Sequence, residues 1–253
     1  MSFARFIGID YSGAGTADNR IEGLAVATAS RGRKPVVTPP PDRPTGWTRR
    51  ELARWLEERF RDSPPLLAAI DHGLSLPDSY FDRHGLPDWD RFLGHFAKRW
   101  PCDRPGVTVK ACRRRNPPPP DRNKLRLCET WAPPAKSVFA FGIPGQVATS
   151  THAGIPWIRN LRRSLGARLH VWPFDGWTPP SGVHVLVEGF PSLARQRYRP
   201  PPGTTHERDA WCLCRWLRDM AERNALERYF HPPLTPAEER RARTREGWIL
   251  GAG

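Results

Sequence analysis

Phe6-Ile7-Gly8-Ile9-Asp10, followed at once by Tyr11-Ser12-Gly13-Ala14-Gly15-Thr16, is the stretch around which the chain is organised. An apolar run that ends in one carboxylate and then a glycine-rich turn is the pattern of a central strand delivering its last side chain to one edge of a sheet. Asp10 is therefore the first candidate for chemistry. The pattern returns at Leu66-Leu67-Ala68-Ala69-Ile70-Asp71-His72-Gly73 and at Val183-His184-Val185-Leu186-Val187-Glu188-Gly189. Three apolar strands that each terminate in an acid make Asp10, Asp71 and Glu188 candidates for a shared site.

Outward from these runs, Ile21 to Ala29 and Lys34 to Thr38 read as two further strands, stopped by Pro39-Pro40-Pro41. Short turns between the first three strands predict an antiparallel meander. Thr48 with Glu51 three residues on is a capping box, and Leu52, Trp55, Leu56 and Phe60 recur at helical spacing, so Arg49 to Arg61 is expected to be an amphipathic helix. Helices are also expected over Trp89 to Trp100 and Ile155 to Leu165, and a strand over Arg168 to Trp172. A long helix opens at Thr204 or Thr205 and runs to about Arg228, with His206 and Asp209 three residues apart on one face. Strand, strand, strand, helix, strand is the opening of a ribonuclease H-like topology. The expectation is an α/β fold with a mixed five-stranded sheet, three antiparallel strands and then parallel ones, and helices on both faces. One domain is expected over 1–253, with 75–155 a basic, proline-rich insertion between the fourth and fifth core strands and 236–253 a docking tail.

The chain has 253 residues, 29 of them proline, and a net charge of +14. That surplus favours a polyanionic partner such as DNA or RNA. Its densest local cluster outside the C-terminal tail is Lys110, Arg113, Arg114 and Arg115, and beyond the bracket Pro117 to Pro120 come Arg122, Lys124 and Arg126, which together form a candidate phosphate grip. Five cysteines in no repeating framework argue for free thiols in a reducing compartment. No signal peptide and no apolar run near the ~20 residues of a membrane span is present, which predicts a soluble cytoplasmic protein without a membrane partner.

Asp10, Asp71, Glu188 and Asp209, with His206 beside the last, are the inventory of a divalent-metal site. Mg²⁺ and Mn²⁺ prefer hard oxygen ligands, and phosphodiester hydrolysis by two such ions needs carboxylates converging from separate elements. The segments Gly8-Ile9-Asp10-Tyr11-Ser12-Gly13, Ala69-Ile70-Asp71-His72-Gly73-Leu74-Ser75-Leu76-Pro77, Val187-Glu188-Gly189-Phe190-Pro191-Ser192, Asp209-Ala210 and Glu246-Gly247-Trp248-Ile249-Leu250-Gly251 together resemble the bacterial family catalogued as domain of unknown function 429. That family is ribonuclease H-like and described as predicted nucleases. His206-x-x-Asp209-Ala210 is also similar to the last motif of RuvC-type Holliday junction resolvases. The resemblance implies Asp10, Asp71 and Asp209 as core metal ligands, Glu188 as a fourth, and His206 as an auxiliary ligand or proton carrier.

Two other functions compete with a metal-dependent nuclease. The turn after Asp10 also resembles the first phosphate-binding turn of actin-like ATPases and sugar kinases, where glycines let backbone amides approach a phosphate. No second glycine-rich nucleotide motif and no duplicated domain accompany it. A catalytically inactive module that binds nucleic acid or protein is the third, since eleven tryptophans, some beside arginines, offer stacking surfaces.

Overall fold

The computed structural model describes residues 3–117, 119–142 and 147–253. Pro118 of the proline bracket and residues 143–146 of the expected insertion lie outside the described residues. In chain order the elements are β1 (Arg5–Asp10), β2 (Ala25–Ser30), β3 (Val36–Val37), α1 (Arg49–Asp62), β4 (Leu66–Asp71), α2 (Asp78–His84), α3 (Trp89–Arg99), α4 (Val109–Arg115), α5 (Leu127–Thr130), α6 (Val147–Leu165), β5 (Leu169–Val171), β6 (His184–Glu188), α7 (Pro191–Arg195), α8 (Thr205–Glu222), α9 (Leu226–Phe230) and α10 (Pro236–Arg241).

The strands form one mixed sheet in the order β3-β2-β1-β4-β6-β5. β1 and β2 are antiparallel, as are β2 and β3, whereas β1, β4, β6 and β5 run parallel. The sheet thus has six strands rather than the five expected. The three-residue β5 sits at the edge, and β6 inserts between it and β4.

Alternation along the strands builds a core on each face. Ile7, Ile9, Val26, Ala68, Ile70 and Leu186 join Leu52, Leu56 and Phe60 of α1 and Ile155, Ile158 and Leu161 of α6 on one side. Phe6, Ala27, Leu67, Ala69, Val185 and Val187 meet Ala210, Cys214 and Leu217 of α8 on the other. Gly8 lets α8 lie close on β1, because a Cβ there would stand 2.2 Å from the Ala210 carbonyl oxygen. That close approach delivers the start of α8 to the end of β1.

Two helices differ from expectation. α6 begins at Val147 and carries Pro156 inside it, because Ala148, Thr151, Ala153, Ile155 and Ile158 are all buried and their packing outweighs the one backbone bond that proline removes. α8 stops at Glu222, where Asn224 takes a left-handed conformation (φ 53°) and the Ala225 amide bonds the Met220 carbonyl, a helix end that Asn tolerates. The tail passes through a π-helical turn, Ala242–Glu246, and docks: Ile249 bridges Glu188 in parallel, and the Leu250 amide bonds the Glu188 carbonyl at 3.0 Å. Among the described residues no helix is long and apolar enough to cross a membrane.

Candidate functional site

Asp10 and Asp71 are register partners at the C-terminal ends of the parallel pair β1 and β4, and Glu188 pairs with Ile70 one step back. Parallel strands in register bring their terminal side chains to the same edge, which is where open α/β sheets hold ligands. α8 adds Asp209, buried, and His206, half-exposed, whose Nδ1 stands 3.4 Å from Asp10 Oδ2. These residues open into a cleft of about 720 Å³. Ser12, Gly13 and Ala14, the start of α6, Lys136, Phe190 to Ser192 and Arg195 complete its walls.

The four acids differ in what compensates their charge. Glu188, 3% exposed, receives the Arg126 guanidinium through both oxygens, at 2.6 and 2.8 Å, and the Leu74 amide at 3.1 Å. Asp209 receives Arg195 of α7 through both oxygens, Nε lying 2.7 Å from Oδ1. Asp10 has His206. Asp71 accepts no hydrogen bond and forms no ion pair among the described residues.

The proton affinities follow from this. Burial holds the Asp71 carboxyl well above the usual carboxylate range, and the charges of Asp10, Asp209 and Glu188 push it further. Burial also raises Asp10, offset in part by the bond from His206. That same bond to Asp10 raises the His206 imidazole above its ordinary value. A histidine beside a carboxylate at the mouth of a cleft is placed to pass a proton to or from a bound ligand.

Sequence reasoning assembled Asp10, Asp71, Glu188, Asp209 and His206, and all five line the same cleft. It did not see Arg195, Lys136 or the role of Arg126. Arg126, expected on a phosphate grip, is instead 1% exposed and locked between Glu188 and Glu129, so it is not free to meet a ligand. The other expected phosphate contacts are elsewhere too. Lys110, Arg113, Arg114 and Arg115 lie on or at the end of α4, with Arg113 over the Phe141 ring at 4.7 Å, and neither they nor Lys124 line the cleft. A contiguous basic run is visible in sequence, whereas a single arginine folded back by α7 is not.

The turn after Asp10 is held by Arg49, which is fully buried and donates to the carbonyls of Ser12, Ala14 and Gly15 at 3.2, 2.6 and 3.0 Å. Gly13 lies against α6, where a Cβ would stand 2.1 Å from the Thr149 carbonyl oxygen.

As the side chains stand, no group of three or more His, Cys, Asp or Glu among the described residues is gathered closely enough to hold a metal ion. Two of the acids, Asp209 and Glu188, are held by Arg195 and Arg126. The donor set nevertheless suits a hard cation: Asp71 is an uncompensated carboxylate beside Asp10, and Asp209 is tied only by an arginine that is itself half-exposed. No protein-family model, curated protein or solved structure matches this chain.

Proposed function

We propose that this chain is a ribonuclease H-like, Mg²⁺- or Mn²⁺-dependent nuclease that hydrolyses phosphodiester bonds of DNA or RNA in the cleft at the ends of β1, β4 and β6. The observation that carries the reading is Asp71: a carboxylate in register with Asp10, crowded by three other acids and left without a hydrogen-bond partner. Three neighbouring acids make a fourth carboxylate costly to ionise even where the cleft admits water, and a cation is the simplest compensation. The resemblance of the strand-end motifs to the domain of unknown function 429 family supports the same reading, as does the strand order around β1.

In this proposal Asp10, Asp71 and Asp209 hold the ions, and Glu188 shapes their floor from its bond to Arg126. The bound ions would supply Lewis-acid activation of water and neutralise charge at the phosphorus. The chain's own groups do the rest. His206, bonded to Asp10, carries a proton at Nδ1 at the cleft mouth. Arg195, released from Asp209, and Lys136 are placed to take non-bridging phosphate oxygens, the arginine in a two-pronged contact. The phosphotransferase alternative is weaker, because the carbonyls of the glycine turn face Arg49 and Gly13 is closed off by α6.

Labelled single-stranded, duplex and branched nucleic acids incubated with Mn²⁺ or Mg²⁺ test the proposal. Cleavage by the wild type is expected, with loss in Asp10→Asn and in Asp71→Asn. Wild-type rates retained in either variant would remove the assigned site. Stabilisation by a nucleoside triphosphate with no nucleic-acid cleavage would turn the reading to a phosphotransferase.

A further inference from the structure

A second cleft, of about 530 Å³, opens at the other end of the sheet, between α1 and the β2–β3 hairpin. Arg5, Arg33, Lys34 and Arg59 line it, and no acidic residue does. Its floor includes Thr28 and Thr38, whose hydroxyls bond each other at 2.8 Å. Among the described residues none of the four cations forms an ion pair. Arg5 reaches only the Ser63 hydroxyl, at 3.4 Å, and Arg59 lies over the Trp55 ring at 5.3 Å. On the same helix Arg50 and Arg61 pair with Asp18 and Glu57, so the missing partners are a property of the cleft and not of the helix.

The turn that carries Arg33 and Lys34 is held in place from behind. The Gly32 amide donates to Glu222 Oε1 at 2.7 Å, and the Arg33 carbonyl accepts from Arg218 Nη1 at 2.5 Å. Two cations on an anchored turn facing two cations on a helix and a strand form a preorganised positive groove. Such a groove repels cations and concentrates phosphates.

We propose that this groove binds the phosphodiester backbone of a nucleic acid, as a site separate from the carboxylate cleft. Six residues of β1 link the two, Arg5 at one end and Asp10 at the other, a separation of about 17 Å along the strand at ~3.3 Å per residue. Four charges with the Thr28 and Thr38 hydroxyls between them fit contacts to the phosphate backbone. An acidic peptide added to the β3 edge is the competing occupant. It is disfavoured because the β3 ladder spans only Val36 and Val37 and is preceded by Lys34-Pro35, a composition that blocks strand addition. The proposal goes beyond the cleavage reading and needs binding only.

The test measures binding of labelled single-stranded and duplex oligonucleotides, in chelator and across a salt series, so that binding is read even from a protein that never cuts. Arg33→Ser/Lys34→Ser removes two exposed cations from a turn anchored by its backbone. The expected result is a roughly tenfold loss of affinity and a plot of log affinity against log salt that is shallower by about 1.5. Lys110→Ser/Arg114→Ser removes the same charge from α4 and is expected to have a clearly smaller effect. Arg5→Gln/Arg59→Gln, which keeps the long polar side chains, is the second groove variant and is expected to match the first. Unchanged affinity in both groove variants overturns the proposal, as does an equal loss in the α4 control, which would make the effect one of net charge. Poly-glutamate binding that falls in the groove variants while oligonucleotide binding does not would assign the groove to an acidic peptide.

Discussion

Glu188 and Asp71 end neighbouring parallel strands one register step apart, and the structure surrounds them in opposite ways. Around Glu188 the charges close on themselves. Arg126 spans Glu188 and Glu129, and Glu246 accepts the amides of Leu127 and Asp78 at 2.8 and 2.5 Å and a bond from Arg241 at 2.8 Å, so that β6, the α5 segment, the start of α2 and the C-terminal tail are tied together. Around Asp71 three acids gather, each with a partner of its own, and Asp71 itself has only the more distant charge of Arg195 to offset them. A buried charge with its hydrogen bonds complete ties elements together, whereas Asp71, partly exposed at the cleft, keeps both carboxyl oxygens free of protein partners. The difference separates an acid whose partners are complete from one that has none within a single row of strand ends.

The largest effect should come from opening the closed network. Arg126→Ala leaves Glu188 buried without its cation and is expected to cost about 3–5 kcal/mol, read as a fall in Tm of roughly 10 °C or more. Adding Glu188→Gln should recover part of the loss, and no recovery would show that Arg126 acts through Glu129 instead. Next in size, Asp71→Asn should lower nuclease activity by about 10²- to 10³-fold while raising metal-free stability by about 1–2 kcal/mol, since it removes repulsion rather than a bond. A variant less stable than wild type would break the contrast with Glu188.

The pH dependence sharpens the same point. The folded-state pKa of Asp71 is raised, so its contribution to stability is fully present below the usual carboxylate pKa and is lost as pH rises through the raised value. The Tm advantage of Asp71→Asn should therefore be greatest at neutral and alkaline pH and vanish in acid. Two buried imidazoles act in the opposite sense. His72 and His152 are each held down to about 4 by burial, so their contribution is present above their unfolded pKa and is lost as pH falls from 6.5 towards 4. His72→Gln is expected to flatten the acid side of the wild-type stability curve. Smallest of all, Arg195→Ala should change stability by less than about 1 kcal/mol, because its side chain is half-exposed. It should nevertheless tighten Mn²⁺ binding by up to about tenfold, measured by the paramagnetic signal of the free ion, because Asp209 is then released. Unchanged Mn²⁺ affinity would mean that Arg195 and the metal do not compete.

Much of the acid row is legible in the chain because each member sits where a local pattern changes. Asp10 and Asp71 each close an apolar run, and His206 and Asp209 share a helix face by their spacing. The partners are another matter. Arg126 lies 62 residues from Glu188 and arrives beside it only after the segment between β4 and β5 has folded back, and Arg195 meets Asp209 across a turn between α7 and α8. The conspicuous basic run on α4 lines neither cleft, while the groove at the far end of the sheet draws Arg5, Arg33, Lys34 and Arg59 from separate segments. Contiguous charge is easy to read and need not converge; scattered charge converges only in three dimensions.

What the sequence by itself determined, though not that six strands join one sheet, is where apolar strands run and which acids end them, since strand formation and the alternation of faces depend on neighbours a few residues away. Only the tertiary structure decided which of those acids is neutralised and which is left open. The free energy of a carboxylate at a strand end is set by the groups that other parts of the chain bring within a few ångströms of it, and Asp71 and Glu188, alike in sequence context, differ in having received no hydrogen-bond donor and two, the Arg126 guanidinium and the Leu74 amide.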